Sequence, residues 1–417
     1  MTKPLTVVVD ARLTTDHHGG VEQVIIGLAH GLSTLEGDER YLFLAYKGQS
    51  SWLEPFVSGP ARVTLVKRPF KSRLARSFPT LAKVRRRLKG SIAPDTTPPV
   101  PPIDGTIEGL GAEVIHFPRQ DGFITSIPTI FHPHDLQHVH FPEFFSEAEL
   151  LQRDLWYRTL CDQASVVSVT SEWGKRDLVE NLGLAPDKIA VVPLAPALAA
   201  YGPPLEDEER DALLSTLGIH GAFAFYPAQT WPHKNHARLV RALKLLRDSG
   251  IDITLVCSGA KNDHFAEIER VVRDVAMDDR VMFVGYVSPR ELQGLYAGAR
   301  CMVMPTLFEA AGGFGPIAEA FLAGVPVACS NATSLPEQVG DAAVVFDPLD
   351  EQAIARGIER VWTDAQLRTD LIRKGTENIS RFSWDRTART FRAHYRQLAG
   401  RVPDPEDAEL LGRNAEF

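Results

Sequence analysis

Two carboxylates flank a glycine loop in the last third of the chain. Glu309 and Glu319 enclose Ala310-Ala-Gly-Gly-Phe-Gly-Pro-Ile-Ala318. A short apolar run, Cys301 to Met304, leads into the loop, and Pro316 opens a helical pattern that closes at Gly324. Proline favours the first helical position and glycine the place just past the end. The segment therefore reads as strand, glycine loop and helix N-terminus, with Glu319 in or near the first turn. The first turn of a helix has backbone N–H groups without intrahelical partners, which suit an anion. A carboxylate on either side can accept from sugar hydroxyls. The combination points to a ligand that carries both phosphate and sugar.

Other segments offer matching chemistry. Tyr226-Pro-Ala-Gln-Thr-Trp-Pro-His-Lys-Asn-His236 joins a strand to a helix, and Lys234 in it can balance a diphosphate as a point charge. Asp10-Ala-Arg-Leu-Thr-Thr-Asp-His-His-Gly-Gly-Val-Glu22 is a strand, a loop and a glycine pair, Gly19 and Gly20, that opens a helix. It is not G-x-G-x-x-G, which disfavours a dinucleotide. His132-Pro-His-Asp-Leu-Gln-His-Val-His140 holds four histidines. They allow a metal-dependent hydrolase as an alternative. Lacking a partner set with ligand spacing, they read better as His134 or Asp135 ending a strand and facing an interdomain cleft, with no metal.

These loops need elements to position them. Runs rich in Val, Ile and Phe alternate with longer helical patterns from Leu5–Val9 through Ala343–Phe346. Such alternation implies parallel sheets with helices on both faces. The 417 residues exceed one ordinary core and suit two domains. The expected division is an N-terminal Rossmann-like domain over 1–200, a C-terminal one over 201–384, and a helix and tail over 385–417 that cross back to the first. The boundary falls near 196–218, where Pro, Gly and charge break the pattern. Ser383 is placed to cap a last helix, Trp384–Leu398.

Composition limits the function classes. Hydrophobic content of 44% and charged content of 24% are those of a globular protein. The start, MTKPLTVVVDARL, reads as a strand and not a signal peptide, and no run approaches the roughly 20 apolar residues of a membrane span. Four scattered cysteines, three in strand-like runs, read as buried reduced thiols in a cytoplasmic protein. The net charge is −8 and no nucleic-acid partner is expected, yet no acidic residue lies between Glu54 and Asp95. The basic segment 67–90 there has apolar residues at helical spacing, which suits an anionic membrane surface. The proline-rich 93–102 stretch follows it as a stiff linker.

The chain resembles retaining glycosyltransferases of the GT-B fold, glycosyltransferase family 4. The likeness runs over GGVEQVIIGLAHGL, HDLQHVHFPEFF, VTSEWGKRDLVENLG, DKIAVVPL, YPAQTWPHKNHARLVRAL, VMFVGYVS, the Glu309–Glu319 segment and SNATSLPEQVGDAAVVFDP. The HDLQH and WPHKNH phrases look most like bacterial enzymes of surface-polysaccharide synthesis, often mannosyltransferases. The resemblance implies an α/β fold of two doubly wound parallel sheets with a cleft between them, domain 1–200 binding the acceptor and domain 201–384 the nucleotide sugar. It implies that Glu309 contacts the donor sugar, that Glu319 binds the ribose hydroxyls, and that Gly313, Phe314 and Gly315 offer N–H groups to sugar or diphosphate. It also implies that Lys234 neutralises the diphosphate, that His134 approaches the sugar from the opposite domain, that Gly20 lies near the donor, and that the base rests near Tyr286 and Val287. No cofactor or catalytic metal is expected. The function implied is transfer of a hexose, mannose from GDP-mannose, to a saccharide or lipid-linked acceptor. The site is the cytoplasm, peripheral on the inner face of its membrane. A UDP-glucose-type donor and a catalytically silent scaffold are the alternatives on this fold. Two departures stand out: the family usually has seven residues between the glutamates, not nine, and an arginine where this chain has Gln229.

Overall fold

The computed structural model describes residues 3–13, 20–67, 100–101, 105, 107–196, 203–310 and 314–412. Gly313, the basic segment beyond Lys67, and most of the proline-rich stretch lie outside the described residues. Two compact units are present. One comprises Met1–Ser168, Val179–Ala190 and Ala388–Arg413; the other comprises Val169–Leu178, Val191–Thr387 and Asn414–Phe417.

The first sheet has seven strands: β1 (Thr6–Asp10), β2 (Arg40–Tyr46), β3 (Ala61–Val66), β4 (Val114–Phe117), β5 (Thr129–Phe131), β6 (Val166–Val169) and β7 (Ile189–Val191). Their order is β3-β2-β1-β4-β5-β6-β7. β1 is parallel to both neighbours, with Val9 opposite Phe43 on β2 and His116 on β4. Every residue of β1 is buried, so TVVVD has no polar face to offer water. That is the signature of a parallel strand covered on both sides.

The second sheet has six: β8 (Phe223–Pro227), β9 (Thr254–Ser258), β10 (Val281–Gly285), β11 (Cys301–Met304), β12 (Val327–Ser330) and β13 (Ala343–Phe346). Their order is β10-β9-β8-β11-β12-β13, again parallel. Both sheets are doubly wound. In each, the chain moves outward from one central strand and then resumes on that strand's other side. The switch point is β1/β4 in the first sheet and β8/β11 in the second, and ligands of such sheets bind beyond the strand ends there.

Local sequence explains several element ends. Ser288 accepts from Glu291 N while Glu291 returns the bond to Ser288 N, a reciprocal cap for the Pro289–Gly298 helix. Ser383 accepts from Arg386 N at 3.1 Å, at the start of Trp384–Leu398. The helix Phe314–Leu322 ends with Val325 N donating to Ala320 O and Gly324 N to Phe321 O, and Gly324 has φ +68°. That left-handed residue is why glycine stands there. The 196–218 stretch, read as pattern-breaking, holds a helix over Asp207–Thr216. Its proline and charge mark the start of the helix. All four cysteines are buried and unpaired.

The core of the first unit contains a polar chain. Tyr395 Oη lies 2.6 Å from His116 Nδ1, and His116 Nε2 lies 2.7 Å from His132 Nε2. All three residues are fully or almost fully buried. Burial, then the charge of His394, pushes His116 down to about 3, so the imidazole is neutral. His132 is therefore a partner in the core. His138 is buried against the Tyr157 ring, with centroids 4.9 Å apart. Among the described residues no three His, Cys, Asp or Glu side chains are grouped to hold a metal.

Candidate active site

At the switch point of the second sheet two of the expected residues, Lys234 and Glu309, meet with their supports. Lys234 ends a short turn, Pro232–Lys234, just after β8. Its carbonyl accepts from the buried Tyr226 hydroxyl at 2.8 Å. The next residue, Asn235, has φ +61°, a conformation asparagine tolerates better than most side chains. Its amide nitrogen donates to Pro305 O and Pro348 O, both at 2.9 Å, and its amide oxygen accepts from Arg238 at 3.0 Å. Asparagine thus fixes the backbone that carries Lys234.

Glu309 lies beyond β11 and is buried. Its carboxylate oxygen Oε1 receives the Lys234 ammonium, and the Thr306 hydroxyl stands 3.0 Å from the same oxygen. A buried carboxylate needs such partners, because desolvation without them costs several kcal/mol, of order 3–5 when one partner of a pair is removed. Its backbone is held as firmly. Glu309 N donates to Thr333 Oγ1 at 3.0 Å, the Thr333 hydroxyl donates back to Glu309 O, and Ser334 Oγ donates to Glu309 O at 2.8 Å. Thr333 adopts φ +51° to do so. For a β-branched residue that is a strained backbone, stored where a site needs positioning. The longer loop after Glu309 leaves this glutamate joined to Lys234.

Phe314 and Gly315 are the first two residues of the helix Phe314–Leu322. Their N–H groups are among those that a helix leaves without internal partners. This corrects the expected start. Pro316 is the third helical residue and Glu319 the sixth, so Glu319 does not sit in the first turn. The earlier start is allowed because a proline anywhere in the first turn removes no intrahelical bond. It is favoured by Phe314, which is buried against Phe321 and Phe382. Glu319 is buried on the helix flank, where the Tyr296 hydroxyl donates to Oε2 at 2.8 Å. Burial raises its carboxyl to about 7, against the Tyr296 bond, which acts to lower it.

Tyr286 and Val287 follow β10 directly. Tyr286 is 69% exposed, while Val287 packs on the core. β10 lies two strands from β8, about 10 Å at the usual strand spacing. That separation spans the distance from a diphosphate to a base. Gln229, at the position of the family arginine, accepts from the Trp231 indole N–H at 3.0 Å. The other expected residues belong to the first unit. Gly20 is the first residue of the helix Gly20–Ser33. His134 follows β5 with φ +63°, and its Nε2 lies 3.0 Å from Pro118 O. A carbonyl only accepts, so Nε2 carries the proton and Nδ1 is the acceptor.

Sequence reading missed Asn235, Thr306, Tyr296, Thr333 and Ser334. Thr333 and Ser334 stand in a quoted phrase, SNATS, whose Thr-Ser pair after a strand was the available signal.

Comparison with known proteins gives the family. Residues 220–378 match the family described as glycosyl transferases group 1, and residues 18–195 match glycosyltransferase family 4. O-antigen chain mannosyltransferase B of Escherichia coli is 30% identical over 264 residues, 63% of this chain and 68% of that protein. A D-inositol 3-phosphate glycosyltransferase of Corynebacterium glutamicum is 25% identical over 246 residues, 57% of this chain and 58% of that one. A solved structure, Anabaena Alr3699/HepE in complex with UDP and glucose, has the same fold at a TM-score of 0.69 and 19% identity, covering 94% of this chain and 100% of that one. The chain belongs to the GT-B glycosyltransferases, with a family 4 N-terminal half and a group 1 C-terminal half.

Proposed function

We propose that this glycosyltransferase transfers mannose from GDP-mannose, with retention, to a saccharide on a lipid carrier in surface-polysaccharide synthesis. The observation that carries the donor site is the Lys234–Glu309 pair at the second switch point, just ahead in the chain of the helix Phe314–Leu322. The choice of mannose rests on relatives named as O-antigen mannosyltransferases.

The chemistry follows from these groups. The bond from the anomeric carbon to the diphosphate breaks, and negative charge develops on the leaving oxygen. Lys234 and the N–H groups of Phe314 and Gly315 are preorganised to receive it. Positive charge develops on the sugar, and the Glu309 carboxylate is the group to balance it. The acceptor hydroxyl attacks from the leaving-group face. Its proton passes to a diphosphate oxygen, so no protein base is needed. Glu319 accepts from the ribose hydroxyls in its ionised form.

A thermal-shift panel of nucleotides and nucleotide sugars tests the reading. GDP-mannose is expected to raise the melting temperature and to be turned over, because a ligand bound only by the folded chain stabilises it. Lys234→Ala is expected to lose at least tenfold in donor affinity. A response to UDP-sugars alone would replace the donor, and a chain that neither binds nor hydrolyses any nucleotide sugar would overturn the reading.

A further inference from the structure

The first sheet has a charged cluster at the place that corresponds to the Lys234–Glu309 pair in the second. Aligned by strand order, β1 corresponds to β8 and β4 to β11. Asp10 ends β1 and is completely buried. Arg12, two residues on, binds it with two parallel bonds: Nε to Oδ1 at 2.7 Å and Nη2 to Oδ2 at 2.8 Å. Arg119, two residues beyond β4, places Nη2 3.4 Å from the same carboxylate and donates from Nη1 to Arg12 O at 2.7 Å. The Arg12 guanidinium also lies over the Phe123 ring, 5.4 Å from its centre. Burial alone would raise Asp10, yet the two guanidiniums hold it down to about 2.

The two arginines are fixed from behind and retain a little exposure, 17% and 15% of their side chains. Asp10 neutralises only one of them. The second charge is met by Asp121, whose Oδ1 forms an ion pair 2.6 Å from Arg119 Nε and whose side chain is 47% exposed. So the inner carboxylate is structural, and the outer one is held at the solvent edge. Burial raises the Asp121 carboxyl above its ordinary value, which disfavours its charged form, so an incoming anion can take its place beside Arg119. Arginine forks fit a phosphoryl group with paired bonds, and a compact ammonium does not.

We propose that Arg119 and Arg12 bind a phosphoryl group of the acceptor, and that Asp121 is an internal anion which this group replaces. The word acceptor rests on the proposed transferase reading; the anion site itself does not. The source is either a lipid diphosphate or a phosphorylated sugar.

Inorganic pyrophosphate is the probe, titrated calorimetrically into the full chain carrying Lys234→Ala, which weakens the second switch point so that the Arg119 and Asp121 variants report on the first. In that background Arg119→Gln is expected to weaken binding by about tenfold or more, as loss of a charged hydrogen bond does. Asp121→Asn is expected to strengthen it severalfold. A purely structural ion network predicts the opposite for Asp121, because removing either partner would then loosen the site. Unfolding curves check that each variant folds. If Arg119→Gln does not fold, Arg119→Lys keeps the charge without the fork and is expected to give an intermediate loss. Absence of binding in the Lys234→Ala chain, unchanged binding in the folded Arg119 variant, or weaker binding in Asp121→Asn overturns the proposal. Acceptor KM then separates the sources. An Arg119→Lys effect on a lipid-diphosphate saccharide alone assigns the first, and one on a sugar phosphate alone assigns the second. An equal effect on a phosphate-free saccharide counts against the proposal.

Discussion

Glu319 shows how one buried oxygen pair couples pH to binding. Its folded pKa, about 7, lies above the ordinary carboxylate value. The folded chain therefore binds this proton more tightly than the unfolded chain does. Stability contributed by the neutral form is present at low pH and is lost as pH rises towards 7. In the proposed donor site, ribose hydroxyls act in the other sense, since only the ionised group accepts from both. Donor KM should therefore fall as pH rises through about 7, and the dependence should vanish in Glu319→Gln. Tyr296→Phe removes the bond that lowers this pKa, so the same limb should move to higher pH. Kinetics across neutral pH check this, and a flat donor KM in the unaltered chain would detach Glu319 from the ribose. The two glutamates and Lys234 were legible as residue types. Tyr296 was not, because its partner is 23 positions away and a helix period places it in the core without naming what its hydroxyl meets.

At the scale of elements, two glycines separate packing from ligand approach. Gly259 follows β9 with φ +119°, and a Cβ there would stand 2.7 Å from the Ala228 carbonyl carbon. Its N–H donates to Gly285 O at 2.7 Å, so it ties the loops after β8, β9 and β10 together. Gly259→Ala should cost about 1–3 kcal/mol from backbone strain alone, before the clash is counted. Gly315 is different. A Cβ there meets nothing within 4 Å among the described residues. In a helix alanine is favoured over glycine by about 1 kcal/mol. Gly315→Ala should leave the melting temperature level or higher while raising donor KM severalfold, because a methyl group would then project beside the N–H groups offered to the diphosphate. A parallel fall in stability and affinity would make Gly315 a packing residue. The sequence showed this loop as glycine-rich. It misplaced the helix start because proline's preference for the first position outweighed, on paper, the burial of Phe314.

At the scale of the whole molecule, both parallel sheets were legible because strands buried on two faces are uninterrupted runs of Val, Ile and Phe between helical patterns. Contacts between residues far apart in sequence were not. Arg396 binds Glu39, 357 positions away, at 2.6 Å. The same guanidinium holds Asp404 at 2.9 Å and Asp407 at 3.0 Å, and Glu39 and Asp407 are almost wholly buried. No periodicity announces that pairing. Within the first unit it fastens the chain's last described helix, Pro405–Gly412, to Glu39, the residue before β2. Deleting the guanidinium would strand two buried carboxylates, which is worth about 3–5 kcal/mol even though replacing a whole buried pair is often neutral. Arg396→Met should therefore destabilise the first unit by about that amount. Arg396→Met combined with Glu39→Gln and Asp407→Asn should recover most of it. Denaturant unfolding of the three chains distinguishes the cases. Equal destabilisation in the single and triple variants would mean that the helix is held by its apolar contacts and not by this network.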